Sequence, residues 1–266
     1  MTDPSPSIVA AGYDAVYEAM PRSPTLARIW RQTATDAAFP EAFLHLSFVT
    51  TAQLRRMAEA LRLRPGGALV DVGCGTGGPA LWMARETGAR LTGVDFSRVA
   101  VARAAERAAA TGLSESATFV AGSFAQTGLP DASADAVMSE DALQYAPDKS
   151  AAFREIARVL RPGGRLAFTA FEIEPDAVAG LPVIGDDPAA DYRPAFKAAG
   201  FTVETYEEAP GWPEPMCTAY QALLDAREAL IQEMGPLATT ALFSELTLTL
   251  ERRPYRRRVL AVAMRA

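Results

Sequence analysis

The chain of 266 residues holds one histidine, His45, and two distant cysteines, Cys74 and Cys217. A single imidazole cannot build a multi-histidine metal centre, and the two thiols suit neither a disulfide framework nor a zinc site. Positive charge is not in excess: 26 Lys and Arg stand against 32 Asp and Glu, for a net charge of -6. That balance argues against a surface made to neutralise nucleic-acid phosphates or anionic lipid. No apolar run reaches the roughly 18 residues of a membrane span, and the opening MTDPSPSIVAAGYD lacks the basic start and apolar stretch of a secretion signal. The expectation is a soluble cytoplasmic protein with no nucleic-acid or membrane partner. Lysine is nearly missing as well, at Lys149 and Lys197 only, a bias that fits GC-rich coding and says little about chemistry.

What is present reads as a core-forming globular chain. Hydrophobic residues make up 49% and charged residues 22%, and the length suits one large α/β domain or a domain with an appendage. The pattern predicts a helix over 7–20, then short pieces broken by prolines 21, 24 and 40. Thr50 and Gln53 have capping-box spacing, and Leu54, Met57, Ala58 and Leu61 fall on one helical face. From there strands and helices alternate. Strands are predicted at 68–72, 90–94, 117–120, 134–139, 165–170, 201–205 and 258–264, with Ser97 and Asp148 as helix caps. Such alternation implies a mostly parallel sheet with helices on both faces. Three pieces fall outside the rhythm, 1–49, 172–193 and 212–252, and are expected to pack together as a helical cap, with 1–49 as a lid on a main domain of 50–266.

The richest stretch is LVDVGCGTGGPALWMARETGARLTGVDFS, residues 69–97. Gly73, Gly75, Gly77 and Gly78 follow the first strand and open a helix, so a ligand can reach backbone N–H groups there. Asp95 ends the second strand, where a carboxylate can accept both hydroxyls of a ribose. A dinucleotide would place a pyrophosphate at the loop. Asp71, two residues before the first glycine, would repel it and suits a ligand bearing an ammonium or sulfonium instead.

Here the chain resembles the class I S-adenosylmethionine-dependent methyltransferases. VDVGCGTGG (70–78) is similar to their first motif and GVDFS (93–97) to their ribose-binding strand end. FVAGSFAQTGLPDASADAVMSEDAL (119–143) resembles the third and fourth strands, and FREIARVLRPGGRLAF (153–168) the run into the fifth. The resemblance covers about 50–210 and implies a Rossmann-like seven-stranded sheet with the last strand antiparallel. It implies S-adenosylmethionine as cofactor, held by Asp71, Gly73, Cys74, Gly75 and Gly77 at the methionine end and by Asp95 at the ribose. Phe96, Gly122, Ser123 and Phe124 would line the adenine slot, with Ser139 at the fourth strand's end. Ser123 stands where the family often has an Asp. Tyr13, with Tyr17 one turn on, fits the aromatic that often folds over the cofactor in this family.

For catalysis the candidates are His45 and Glu140. His45 lies in AFLHLSF, either packed or serving as base toward a hydroxyl acceptor. Glu140 and Asp141 end the fourth strand, and Gln144-Tyr145 stand where many relatives carry a histidine. Cys74 reads as a small filler, and ERRPYRRR (251–258) as a solvated edge. The thiols of an arsenic methyltransferase and the N-P-P-Y signature of amino-methyltransferases are missing. Trp30, Phe43, Phe48, Trp212, Met216, Tyr220 and Phe243 suggest a largely apolar small-molecule acceptor, methylated on a hydroxyl in natural-product metabolism. N- or C-methylation, or a rearrangement without methyl transfer, are the alternatives, ahead of a dinucleotide oxidoreductase or a scaffold without turnover. A homodimer is the assembly to test.

Overall fold

The computed structural model describes residues 8–34, 36–178 and 189–266. Helices α1 (Ile8–Ala19) and α2 (Pro24–Thr33) come first. Ser23 caps α2 by accepting the Leu26 N–H, and Pro24 sits at its first position, where no N–H is needed. Helix α3 (Thr51–Leu61) begins with the complete Thr50–Gln53 capping box. Then β1 (Ala68–Val72), α4 (Gly78–Thr87), β2 (Arg90–Asp95), α5 (Arg98–Ala110), β3 (Ala117–Ala121) and β4 (Ala134–Glu140) alternate as expected. Helix α6 (Lys149–Val159) is capped by Asp148, as α5 is by Ser97. The chain continues through β5 (Leu160–Ile173), α7 (Arg193–Ala198) and β6 (Phe201–Glu208). Helices α8 (Pro213–Asp225), α9 (Arg227–Met234) and α10 (Pro236–Arg252) precede β7 (Arg256–Arg265). None of the described helices is long and apolar enough to cross a membrane.

The seven strands form one sheet in the order β3-β2-β1-β4-β5-β7-β6. The first five run parallel, and β7 inserts antiparallel between β5 and β6. Chain order reverses between β1 and β4, so a crevice opens at their carboxyl ends. Side chains alternate between two buried faces, which is why the strands read as nearly continuous apolar runs. In β7, Leu260 and Val262 join the core under α3 and α4, while Val259, Ala261 and Ala263 join Phe153, Ile156 and Phe196 on the other side.

Strand β5 is longer than the predicted 165–170. Leu160 pairs with Ala134 and a register shift follows, so Arg161-Pro162-Gly163-Gly164 lies within the strand.

A third core forms the cap. It gathers Val16, Leu26, Ile29, Trp30 and Phe48 from the N-terminal part and Trp212, Met216, Tyr220, Leu242, Phe243 and Leu246 from α8–α10, seated on Phe171 of β5. None of the described residues of 172–193 belongs to it. Tyr192 instead packs on Phe153 and Phe168 across the sheet, and residues 179–188 lie outside the described part.

The basic run 251–258 is largely exposed, as its sequence reading expects, but departs from it at Arg252 and Arg258, which are buried. The run ends inside β7, an interior strand, and Arg258 there is fully buried. Its Nε and Nη2 donate to the two oxygens of Asp141 at 2.8 and 3.1 Å, Nη1 donates to Gln53 at 3.1 Å, and Nη2 reaches Thr169 at 3.1 Å. Asp141, held at a positive φ of 51° just past β4, also accepts the Phe48 N–H at 2.9 Å. One guanidinium therefore ties β4, β5, β7, α3 and the cap segment together. Removing one partner of such a pair strands the other charge, at a cost of about 3–5 kcal/mol. Arg258→Ala is expected to lose that much in urea unfolding; a loss under about 1 kcal/mol would show that the pair does not hold the sheet and cap together.

Candidate active site

A cavity of about 430 Å³ lies at the carboxyl ends of β1, β2 and β4, beneath the cap. Its floor is the loop after β1. Gly73, at φ +79°, passes so close to Ala142 that an added Cβ would sit 2.6 Å from that residue's Cβ. The N–H groups of Gly73 and Cys74 bond the Val94 carbonyl at 2.8 and 3.1 Å, fastening the loop to the end of β2. Gly78 opens α4 directly under the cap segment: a Cβ there would lie 2.3 Å from the Phe43 carbonyl oxygen. The bare backbone lets cap and loop touch.

Two carboxyl groups line the cavity at this loop and interact electrostatically. Asp95 accepts the Gly75 N–H at 2.8 Å on one oxygen and the Ser97 N–H at 2.9 Å on the other, and each oxygen keeps a second lone pair. Asp71 is buried, and its Oδ1 has no hydrogen-bond partner. Burial, with Asp95 nearby, pushes the Asp71 carboxyl up to about 8. A buried acceptor left without a donor is costly, so this pole is complementary to a cation carrying N–H groups. Phe96, Gly122, Ser123 and Phe124 line the adjoining wall.

The opposite wall comes from the cap. The Tyr17 hydroxyl lies 3.2 Å from the point where a Gly75 Cβ would stand, so Tyr17 is the tyrosine on the loop. Tyr13 stacks on Tyr17 with centroids 5.9 Å apart but turns its hydroxyl away, to Glu245 Oε1 at 2.9 Å. Tyr145 donates to the same oxygen, also at 2.9 Å. The Asp14 carboxylate takes a hydrogen bond from Ser97, fastening α1 to the start of α5. Trp30, Phe48 and Tyr220 complete the aromatic side, whereas Phe43, Trp212, Met216 and Phe243 are core residues that do not line the cavity.

His45 lines the cavity but has the wrong character for a base. Its Nδ1 accepts the Ser47 N–H at 3.1 Å, so in the neutral ring the proton sits on Nε2, which has no partner. Burial pulls the imidazole down to about 4, with Arg107 lowering it further and Asp141 opposing. The ring presents an N–H donor over the physiological range. Glu140 accepts from Thr169 at 2.9 Å, and its other oxygen is unpaired; burial and then Asp141 raise its pKa well above the usual range, favouring the neutral acid. Asp141 stays ionised: burial would raise it, but Arg258 holds it below its ordinary value.

Two expected cofactor contacts are not cavity walls. Ser139 is fully buried and donates its hydroxyl to the Val72 carbonyl at 2.7 Å, clasping β4 to β1. Gly77 is turned toward Ala104 and Phe119 behind the loop. Tyr13, Asp71, Gly73, Cys74, Gly75, Asp95, Phe96, Gly122, Ser123, Phe124, Glu140 and His45 do converge on the cavity. Glu245 belongs to no motif, yet the sequence carries a signal for it: Leu242, Glu245, Leu246 and Thr249 share one helical face, and all four line the cavity.

The imidazole assignment is directly measurable, since the chain has one histidine. NMR titration is expected to give a midpoint near 4 and nitrogen shifts of the Nε2–H tautomer, and a midpoint near 6.5 would contradict it. The unfolded chain protonates this ring near 6.5 and the folded chain only near 4, so its contribution to stability is lost as pH falls through that interval.

Comparison with known proteins agrees with this geometry. A family model described as a methyltransferase domain matches residues 70–168. The 27-O-demethylrifamycin SV methyltransferase of Amycolatopsis mediterranei is 30% identical over 246 residues, 88% of each chain. A sterol 24-C-methyltransferase of Gibberella zeae is 42% identical over 108 residues, which is 41% of this chain and 28% of that one. Among solved structures, the [4+2]-cyclase SpnF superposes with a TM-score of 0.71 and 28% identity over 80% of each chain. With its sheet order, its loop and its acidic strand ends, the chain belongs to the class I S-adenosylmethionine-dependent methyltransferases.

Proposed function

We propose that the enzyme methylates a hydroxyl of a small, largely apolar natural product. The observation that carries this reading is the continuity of one cavity, with a polar loop at one end and an aromatic chamber under the cap at the other. S-adenosylmethionine supplies an electrophilic methyl group on a sulfonium. On this reading Asp71 takes the ammonium of its amino-acid end, which gives the orphaned Oδ1 a donor. The free lone pairs of Asp95 receive the ribose hydroxyls, and Phe96, Ser123 and Phe124 flank the adenine. Tyr17 covers the glycine loop, where an aromatic face attracts a sulfonium.

Methyl transfer is an in-line displacement, so the chain's main task is to align the acceptor and keep water out. Trp30, Phe48, Phe171 and Tyr220 provide the dry wall. Helix α1 acts as the lid, held shut by Asp14–Ser97 and Tyr13–Glu245. His45 donates its Nε2–H to an acceptor oxygen and is not the base. The similarity to the rifamycin-type O-methyltransferase supports the hydroxyl. The SpnF likeness favours a second reading, a rearrangement with no methyl transferred.

Product mass separates the two. With isotope-labelled cofactor and a panel of hydroxylated polyketides and terpenoids, beginning with 27-O-demethylrifamycin SV, an O-methyl product heavier by one labelled CH₂ is expected. An unlabelled isomer, or label on nitrogen or carbon, would contradict the proposal. Asp95→Ala should weaken binding of S-adenosylhomocysteine by on the order of 1.5–3 kcal/mol for each charged hydrogen bond lost, read by calorimetry. Unchanged affinity would remove the ribose assignment.

A further inference from the structure

We propose that Glu245 is the group that takes the proton from the acceptor's hydroxyl, in a subsite it forms with Tyr13 and Tyr145. The inference rests on the hydroxyl-methylation reading and adds a residue to it. Glu245 stands on α10 among Leu242, Leu246 and Thr249, all facing the cavity. A carboxyl group in such surroundings is costly unless it is paired, and no salt bridge neutralises this one among the described residues. Its hydrogen bonds come from two tyrosine hydroxyls, both onto Oε1. Oε2 receives none from the described residues, so one basic oxygen is left free beside the chamber.

The surroundings suit a base. Burial raises this carboxyl above its ordinary value, while the Tyr145 and Tyr13 hydroxyls and then Arg256 oppose the rise. The charged and titratable groups facing it are Tyr13 and Tyr17 from α1, Tyr145 beyond β4, Tyr220 from α8 and Arg256 from β7. All four tyrosines are held neutral by burial, so none competes for the proton. The other cavity acids and the imidazole are less suitable. His45 has its basic nitrogen occupied, Glu140 lies beside Asp141, and Asp71 belongs to the cofactor pole.

In the step, the acceptor's O–H bond breaks and the proton passes to Glu245 Oε2. An oxygen lone pair forms the new O–C bond. The electron pair of the broken C–S bond stays on sulfur, which becomes a neutral thioether, and the proton later leaves to solvent. A purely structural Glu245 would brace α10 against α1 and Tyr145 without any of this.

The test uses 2-naphthol, an apolar hydroxyl probe whose excited state gives its proton to a neighbouring base and then emits as the anion. It is added to protein saturated with S-adenosylhomocysteine. At neutral pH the bound probe is expected to emit as the anion in the wild type. In Glu245→Gln the anion-to-neutral ratio should fall on the order of tenfold or more, with S-adenosylhomocysteine affinity unchanged. Tyr13→Phe and Tyr145→Phe each remove a donor that stabilises the carboxylate, so the pH midpoint of probe ionisation should move upward. Should Glu245→Gln not fold, these two variants decide, and an unmoved midpoint in both overturns the role. Equal anion emission from wild type and Glu245→Gln, or neutral emission from both, overturns it too and leaves the methyltransferase reading standing. A wild type that does not bind 2-naphthol overturns the apolar hydroxyl-acceptor reading, and this inference with it.

Discussion

Arg258 is a guanidinium with no exposed surface, and what surrounds it decides how the rest of the molecule is arranged. Taken out of water it has to be matched by a charge and by acceptors, and Asp141, Thr169 and Gln53 meet that demand. Asp141 is thereby fixed in a left-handed backbone conformation at the end of β4, where it grips the Phe48 N–H. Thr169 passes its hydrogen on to Glu140. The cap segment that carries His45 is thus registered against the same strand ends that hold the glycine loop. The close contact of Gly78 with the Phe43 carbonyl completes that registration from the other side.

The pocket behaves in the opposite way. Around Arg258 the polar groups are satisfied, whereas along the cavity Asp71, Glu140, His45 and Trp30 each keep a buried polar atom without a partner. Such atoms are rare in a folded chain and need an explanation. Their placement matches a ligand that is cationic at the loop and carries oxygen toward the cap. This also explains why a chain with one histidine can serve as an enzyme here. The methyl donor is already activated, so orientation and a dry site matter more than a set of acids and bases.

The parallel sheet, the helix caps and the loop were legible because each depends on near neighbours in sequence. Thr50 with Gln53, Ser97 and Asp148 act within a turn, and the apolar strands announce burial on both faces. Asp71 and Asp95 were readable because their places follow from strand ends. What could not be read depends on pairs far apart in the chain. Arg258 looks like part of a solvated basic run until its strand is found inside the sheet beside Asp141. His45 looks like a base until the Ser47 N–H is found on Nδ1. Glu245 meets Tyr13 and Tyr145 only because α1 and α10 fold over one cavity.

The central claim is that the buried carboxyl at the end of β1 recognises the cationic end of the cofactor. With its pKa pushed up to about 8, Asp71 is mostly protonated at neutral pH before binding, and on the proposed reading the cofactor's ammonium would restore the carboxylate. Calorimetric titration with S-adenosylhomocysteine in two buffers of different ionisation enthalpy reads that change directly. One-site binding near pH 7 should release close to one proton per chain, the affinity should rise with pH and level off above about 8, and Asp71→Asn should abolish the release. Binding with no proton release, or release that persists in Asp71→Asn, would contradict the account.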